Sequence, residues 1–123
     1  MTRYLTLDDL VMMTVELGGL HVHDIGLLDS AANRPAVTVW GEDAYPDIHT
    51  KAAVLLESIA RNHPLLDGNK RLSWVATVVF YGINGYRLAA PEDDAYDLII
   101  TVCERHLPYA DIATQLKEWV TPR

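Results

Sequence analysis

Two stretches near the middle of the chain place hydrophobic residues at the three- and four-residue spacing of a helix. The first predicts an amphipathic helix that ends near Asn62 and His63, with apolar positions at Ile48, Ala52, Leu55, Leu56 and Ile59. The second runs from Asn69 to the helix-ending pair Asn84 and Gly85. Because it has hydrophobic residues on every side, it is predicted to be buried almost all round: Leu72, Trp74, Val75, Ala76, Val78, Val79, Tyr81 and Ile83.

Shorter helices are predicted on both sides of this pair. Their boundaries come from capping signals, such as the capping-box arrangement of Thr6 and Asp9. Another signal is Pro91 at a first helical position, followed by acidic residues that suit a helix amino terminus. The predicted segments are residues 6–17, 27–33, 91–107 and 112–120.

Residues 36–40 break the helical pattern. They are rich in β-branched residues and alternate, which favours a short strand or an extended flap, and Gly41 to Asp43 then turn the chain. Residues 21–26 read as a loop. The predicted fold is therefore all-α: one compact single-domain helical bundle over residues 1–123, with a short extended flap at residues 36–42.

Composition narrows the classes of function. The chain has 123 residues and a formal net charge of −7, which disfavours a broad nucleic-acid footprint because such binding needs clustered Lys and Arg. Cys103 is the only cysteine, so neither a disulfide framework nor a cysteine zinc site is expected. No signal peptide and no apolar run of roughly 20 residues, the length that spans a bilayer, is evident. The expected compartment is the cytosol.

The loop between the two long helices has the sequence His63-Pro-Leu-Leu-Asp-Gly-Asn-Lys-Arg71. It leads into a helix amino terminus, whose first backbone N–H groups have no intrahelical partner and favour an anion. Gly68 permits a sharp turn and a close approach to a ligand. Lys70 and Arg71 place full positive charges where a helix disfavours them, a conflict that a bound polyanion would relieve.

The remaining polar residues of this loop suit phosphate chemistry. Asp67 supplies one hard oxygen ligand of the kind that Mg²⁺ bound to a nucleotide needs from a protein. His63 can act as a general base toward a hydroxyl, and Asn69 can bind a phosphate oxygen or cap the helix. Together they predict phosphoryl or nucleotidyl transfer, although the chain has no Walker motif.

Three features outside the loop admit more than one interpretation. His21 and His23, with Asp24 beside them, could be part of a metal site, but two histidines are few ligands and an ordinary loop is favoured. Trp40 on the flap suits a protein interface as well as it suits a surface position. Trp74 and Trp119 lie on helix faces and are predicted to be core residues, and Cys103 is predicted to pack as a small apolar residue.

The loop resembles the motif of the Fic/Doc family, His-x-Phe-x-Asp/Glu-Gly-Asn-Gly/Lys-Arg, in its Doc form. Residues 26–35 and 84–87 are also similar to Doc sequences, which are toxins of bacterial toxin–antitoxin pairs. The resemblance implies a helical Fic fold in which His63 is the general base and Asp67 holds Mg²⁺. It also implies that the phosphates of ATP are bound by Gly68, Asn69, Lys70 and Arg71.

Three positions distinguish this chain from most Fic adenylyltransferases. Lys70 replaces their usual glycine, as it does in the Doc form, which is associated with transfer of the γ-phosphate of ATP to a threonine of elongation factor Tu. Trp74 occupies a position where many have arginine, and Leu65 replaces the motif phenylalanine as a hydrophobic anchor. AMP transfer and a catalytically weak module that binds only nucleotide or antitoxin remain alternatives.

The resemblance also implies partners. A target protein, elongation factor Tu being the candidate, would dock on the flap at Val37, Val39 and Trp40. The chain lacks a credible self-inhibitory helix motif of the Fic type, so a separate antitoxin resembling Phd is expected to insert a segment near the active site.

Overall fold

The computed structural model describes residues Met1–Arg123 and contains six α-helices and two small antiparallel sheets. The helices are α1 (Leu7–Glu16), α2 (Ile25–Asn33), α3 (Ile48–Asn62), α4 (Asn69–Ile83), α5 (Glu92–Arg105) and α6 (Tyr109–Trp119). A 3₁₀ turn, Arg34–Ala36, follows α2. One sheet pairs β1 (Thr38–Val39) with β2 (Glu42–Asp43), and the other pairs β3 (Tyr86–Leu88) with β4 (Val120–Pro122).

Helix α3 is the centre of the molecule. It packs against α2, α4, α5 and α6, and every residue from 51 to 60 is buried. The sequence had predicted the reverse, with α3 amphipathic and α4 buried almost all round. In α4, Trp74, Val75, Val78 and Val79 are only half-buried, and the first turn is exposed at Lys70. Small alanines on α3 let its neighbours approach from all sides, which a hydrophobicity pattern does not reveal.

Two charged side chains of α3 lie inside this centre, and both are paired. Glu57 accepts hydrogen bonds at 2.8 Å from the guanidinium groups of Arg34 and Arg61. The Lys51 ammonium, 1% exposed, donates to the Pro35 carbonyl at 3.2 Å and to the Asp43 carboxylate at 3.1 Å. These partners are what make burial of the charges tolerable, since an unpaired buried charge costs several kcal/mol or more.

The flap is a hairpin held to the core at its base. Thr38 pairs with Asp43 and Val39 with Glu42, so the extended segment is confirmed, and the turn lies at Trp40 and Gly41 before the second strand. Both turn residues have positive φ, 54° and 79°, as a two-residue hairpin turn of type I′ requires. The flap side chains Val37, Val39 and Trp40 are exposed.

The second sheet corrects the all-α prediction. Val120 was predicted in the last helix but begins β4, where it pairs with Leu88 of β3. Strands of three residues carry too little alternation to predict. Among the helix ends, the Thr6 capping box is confirmed, and Pro91 caps α5 from outside instead of occupying its first position. Trp74 and Trp119, predicted as core, are half-buried and contact each other edge to face at 6.2 Å between ring centroids.

Candidate active site

The loop from His63 to Gly68 joins the end of α3 to the start of α4. His63 ends α3 in the left-handed conformation, with φ of 53°, and its side chain is exposed. His106 ends α5 in the same way, with φ of 51°. A histidine with positive φ is uncommon. Here it reverses the chain directly after a helix and places the imidazole at the surface instead of in the core.

The Asn69 side chain holds this loop closed. It is 7% exposed, accepts a hydrogen bond from the Leu65 N–H at 2.9 Å and donates to the Leu65 carbonyl at 3.0 Å. Its amide nitrogen also lies 3.4 Å from Nδ1 of His63. The side chain is therefore engaged within the loop, so a ligand at the start of α4 is offered the Asn69 backbone N–H first.

Leu65 anchors the loop from below. Its side chain is 2% exposed and belongs to the hydrophobic core, as predicted for this position. The backbone of Leu65 forms a β-bridge with Val22. Beside it, Leu66 N–H donates to the His21 carbonyl at 3.0 Å and His23 N–H donates to the Pro64 carbonyl at 2.9 Å. The segment between α1 and α2 thus supports the loop through its backbone.

Position 68 requires a glycine because of its backbone conformation and the space around it. It has φ of 92°, and an added Cβ would lie 2.8 Å from Cδ1 of Leu20. The Gly68 N–H donates to Oδ1 of Asp67 at 2.9 Å, which orients that exposed carboxylate. One Asp67 oxygen is thereby engaged with the backbone, and the other is available to a cation.

A cavity of about 880 Å³ opens above the loop. One end is formed by the loop and the first turn of α4: His63, Leu66, Asp67, Gly68, Asn69, Lys70 and Arg71. The rest is formed by residues of α4, of α5 and of the segment that leads into α5: Trp74, Val75, Ala90, Glu92, Ala95, Tyr96 and Ile99. A cavity of this size is typical of a site for a small molecule or cofactor.

The positive charge at the loop end is only lightly engaged. Arg71 donates one hydrogen bond, to the Leu17 carbonyl at 3.3 Å, and Lys70 makes no ion pair within the chain. Burial raises the pKa of the nearby Cys103 thiol, and the positive charges of Lys70 and Arg61 oppose that rise. Cys103 packs in α5 with its sulfur 3.5 Å from the Ala60 carbonyl, as predicted. Because Lys70 and Arg71 are so lightly engaged within the chain, the loop end can receive an anion.

Comparison with known proteins decides the family. The model of the Fic/DOC family matches residues 3–81, which include α1 to α3, the loop and all but the last two residues of α4. The chain belongs to the Fic/Doc family. It is also 48% identical over 120 residues to the protein named Toxin Doc of Mycolicibacterium smegmatis, an alignment that covers 94% of this chain and 92% of that protein.

The Fic/Doc fold gathers the predicted loop residues around one cavity and leaves other candidates outside it. His63, Asp67, Gly68, Asn69, Lys70 and Arg71 all line it, whereas the histidines at 21 and 23 and the flap do not. No three His, Cys, Asp or Glu side chains form a metal-binding cluster, and no helix is long and apolar enough to cross a membrane.

Sequence reasoning missed the α5 side of the cavity. Glu92, Ala95, Tyr96 and Ile99 lie three or four residues apart and so share one helix face. The spacing was visible in the sequence, but Glu92 was interpreted only as a favourable charge in the first turn of a helix. Only the packing of α5 shows that this face of the helix lies toward the cavity.

Proposed function

We propose that this chain is a Doc-like toxin of a toxin–antitoxin pair, and that it transfers the γ-phosphoryl group of ATP to a hydroxyl of a protein. Membership of the Fic/Doc family and the likeness to a protein named Toxin Doc support the proposal. The observation that carries it is the presence of Lys70 in the same cavity as His63 and Asp67. Lysine at this motif position is the mark of the Doc form.

In the proposed reaction, His63 accepts the proton of the target hydroxyl as its oxygen attacks the γ-phosphorus. The new oxygen–phosphorus bond forms as the bond to the β-phosphate oxygen breaks, and ADP leaves with that electron pair. Lys70, Arg71 and the first backbone N–H groups of α4 hold the phosphates and stabilise their charge. Asn69 keeps the loop, and with it His63, in position.

Mg²⁺ fits this site if the nucleotide supplies most of its ligands. Asp67 is the one carboxylate of the loop, and no cluster of three ligating side chains is present. Mg²⁺ commonly takes one or two carboxylates and completes its octahedron with phosphate oxygens and water. Asp67 would hold the ion, which would offset the charge of the phosphates when it is bound.

Transfer of isotope from ATP separates this proposal from AMP transfer. The purified chain is incubated with bacterial extract or with elongation factor Tu, the candidate target, and with ATP labelled at the α- or the γ-phosphate. We expect protein-bound label from the γ position only, and a fall of at least about 100-fold in His63→Ala, because general-base catalysis contributes that much. Label retained from the α position would establish AMP transfer and refute the kinase.

Two variants test the role of Lys70 and the catalytically weak alternative. Lys70→Gly introduces the glycine that most Fic adenylyltransferases have at this motif position, and it leaves His63 and Asp67 unchanged. We expect it to lose γ-label transfer, because the lysine charge no longer places the phosphates. Equal labelling by the wild type and His63→Ala would mean that the chain binds nucleotide or antitoxin without itself performing the chemistry.

The same proposal includes two protein partners. A Phd-like antitoxin would supply the inhibition that the chain itself lacks, by inserting a segment near the cavity. The target would dock on the flap, where Val37, Val39 and Trp40 are 43%, 55% and 97% exposed. Exposed apolar side chains together on a short hairpin suit a protein contact.

A further inference from the structure

We propose that Leu20, in the segment between α1 and α2, is a positioning residue for the phosphate site. Its side chain supports the backbone at Gly68 and thereby fixes where the first N–H groups of α4 point. Leu20 does not line the cavity, so it can affect a ligand there only through the loop. This inference rests on the proposed function, because it names a residue outside the motif on which the same phosphate site depends.

The Leu20 side chain fills the space on one side of Gly68. A Cβ added to Gly68 would lie 2.8 Å from Cδ1, 3.0 Å from Cδ2 and 3.4 Å from Cγ of Leu20, so the whole branched end of the leucine faces the glycine. Leu20 is half-buried and packs against the hydrophobic core. Glycine restrains its own backbone less than any other residue. A side chain packed against it can therefore supply the restraint that a Cβ gives elsewhere.

The conformation of Gly68 controls both kinds of ligand-binding group at this end of the cavity. Gly68 is the residue before α4, and no side chain caps the helix. The Leu72 N–H donates to the Gly68 carbonyl at 2.9 Å, so the N–H groups of residues 69–71 are left for a ligand. On its other side, the Gly68 N–H donates to the Asp67 carboxylate at 2.9 Å. A change in the Gly68 dihedral angles would move these N–H groups and that carboxylate relative to each other.

Leu20 is itself held in place by the end of α1 and by the loop. Its N–H and that of Gly19 both donate to the Thr14 carbonyl, at 2.9 Å and 3.0 Å, and Thr14 is buried. One residue after Leu20, the His21 carbonyl accepts from the Leu66 N–H at 3.0 Å. These hydrogen bonds fix the backbone of Leu20 relative to both elements, so its side chain is a fixed support for Gly68.

Calorimetric titration of the full chain with inorganic tripolyphosphate, in buffer containing Mg²⁺, tests this role. Leu20→Ala removes the branched end of the side chain, and we expect it to weaken tripolyphosphate binding by about tenfold, since one hydrogen bond to a charged group contributes that much. Leu20→Met refills the space with a side chain of similar volume and should bind within about twofold of the wild type. A Leu20→Met protein that binds as weakly as Leu20→Ala would overturn the proposal.

A smaller truncation tests the same contact with less risk to the fold. Leu20→Val withdraws the branched end from Gly68 by one carbon, and we expect it to weaken tripolyphosphate binding by about threefold, in the same direction as Leu20→Ala. Wild-type affinity in Leu20→Val together with Leu20→Ala would show that the contact does not place the phosphate-binding groups.

The control is Leu7→Ala, which removes the same atoms at the other end of α1. Leu7 is also half-buried and packs against the hydrophobic core, but it does not line the cavity. Urea unfolding of Leu7→Ala and Leu20→Ala measures the stability that each loses. We expect comparable losses of stability, with a change in tripolyphosphate affinity in Leu20→Ala only. Equal weakening of affinity in both would mean that stability, and not the placement of Gly68, controls binding, and would overturn the proposal.

The remaining outcomes separate this inference from the proposed function. If the wild type and the Leu20 variants bind tripolyphosphate equally well, the phosphate site is kept and the role of Leu20 is overturned. Wild-type protein that does not bind tripolyphosphate would refute the phosphate site of the proposed function, and the role of Leu20 with it.

Discussion

At the scale of single residues, His49 shows how the core sets the chemistry of a titratable group. Its Nδ1 lies 2.7 Å from the Tyr81 hydroxyl, and the Tyr86 ring is also close. Burial lowers the pKa of His49 below its ordinary value of 6.5; Asp47 opposes the fall and Lys117 adds to it. The folded protein therefore favours the neutral imidazole.

This shift predicts a pH dependence of stability. The pKa of His49 is lower in the folded protein than in the unfolded chain. Its contribution to the free energy of unfolding is therefore fully present above about pH 6.5 and is lost as the pH falls toward the folded pKa. We expect the urea midpoint of the wild type to fall more steeply between pH 7 and pH 5 than that of His49→Gln. His23→Gln, which removes an exposed loop histidine, should keep the wild-type slope; a wild-type slope in His49→Gln would contradict the argument.

At the scale of elements, the flap depends on a charge in the helix beneath it. Lys51 of α3 reaches through the core to Asp43 of β2, and its ammonium lies 5.3 Å from the centre of the Tyr4 ring. Burial opposes this charge, but Tyr4 and Asp43 together raise the pKa of Lys51 above its ordinary value. The hairpin base is thus tied to α3 while its tip at Trp40 stays free.

Breaking this tie should destabilise the protein asymmetrically. Asp43→Asn leaves the buried ammonium without its carboxylate, and we expect a loss of about 1–2 kcal/mol, discounted because Asp43 is half-exposed. Lys51→Met removes the buried ammonium and leaves only the half-exposed Asp43 carboxylate, which water can solvate, so it should cost less. Glu42→Gln on the same strand is the control, and urea unfolding is the measurement. A larger loss in Lys51→Met would contradict this account.

At the scale of the whole molecule, one hydrophobic core and one ionic network join the helices. The core cluster takes buried residues from all six helices and from β3. Within it, Arg61 of α3 donates to Glu57, to the Val102 carbonyl of α5 at 2.9 Å and to the Leu107 carbonyl at 2.7 Å. The carboxyl-terminal end of α5 is therefore fastened to α3, and the earlier turns of the same helix form the second wall of the cavity.

Removal of the Arg61 hydrogen bonds should destabilise the whole molecule. Arg61→Ala leaves two carbonyls and part of Glu57 without donors, and we expect a loss of about 2–4 kcal/mol. Because the core is continuous, circular dichroism and tryptophan fluorescence should report one shared transition. The control is Arg105, an exposed arginine at the end of α5 that makes no ion pair. Arg105→Ala should change the free energy of unfolding by less than about 0.5 kcal/mol. Separate transitions by the two probes would show that α5 unfolds independently.

The sequence by itself determined the features that depend on near neighbours along the chain. Helical periodicity, the Thr6 capping box and the glycine turn at Gly68 were all visible, and so was the composition of the loop from His63 to Arg71. These features predicted the helices to within a few residues and an anion site at the start of α4. They depend on backbone geometry and local charge, which a short stretch of sequence specifies.

Only the tertiary structure decided what lies opposite each element. It made α3 the buried centre, paired Val120 with Leu88 in a strand, and engaged the Asn69 amide in closing the loop. It also brought Glu92 and Tyr96 to the cavity from a helix more than twenty residues beyond the motif. Such contacts join residues that are distant along the chain, so they follow from packing and not from local pattern. The motif loop supplies one wall of the cavity, and the packing of α5 against α4 supplies the other.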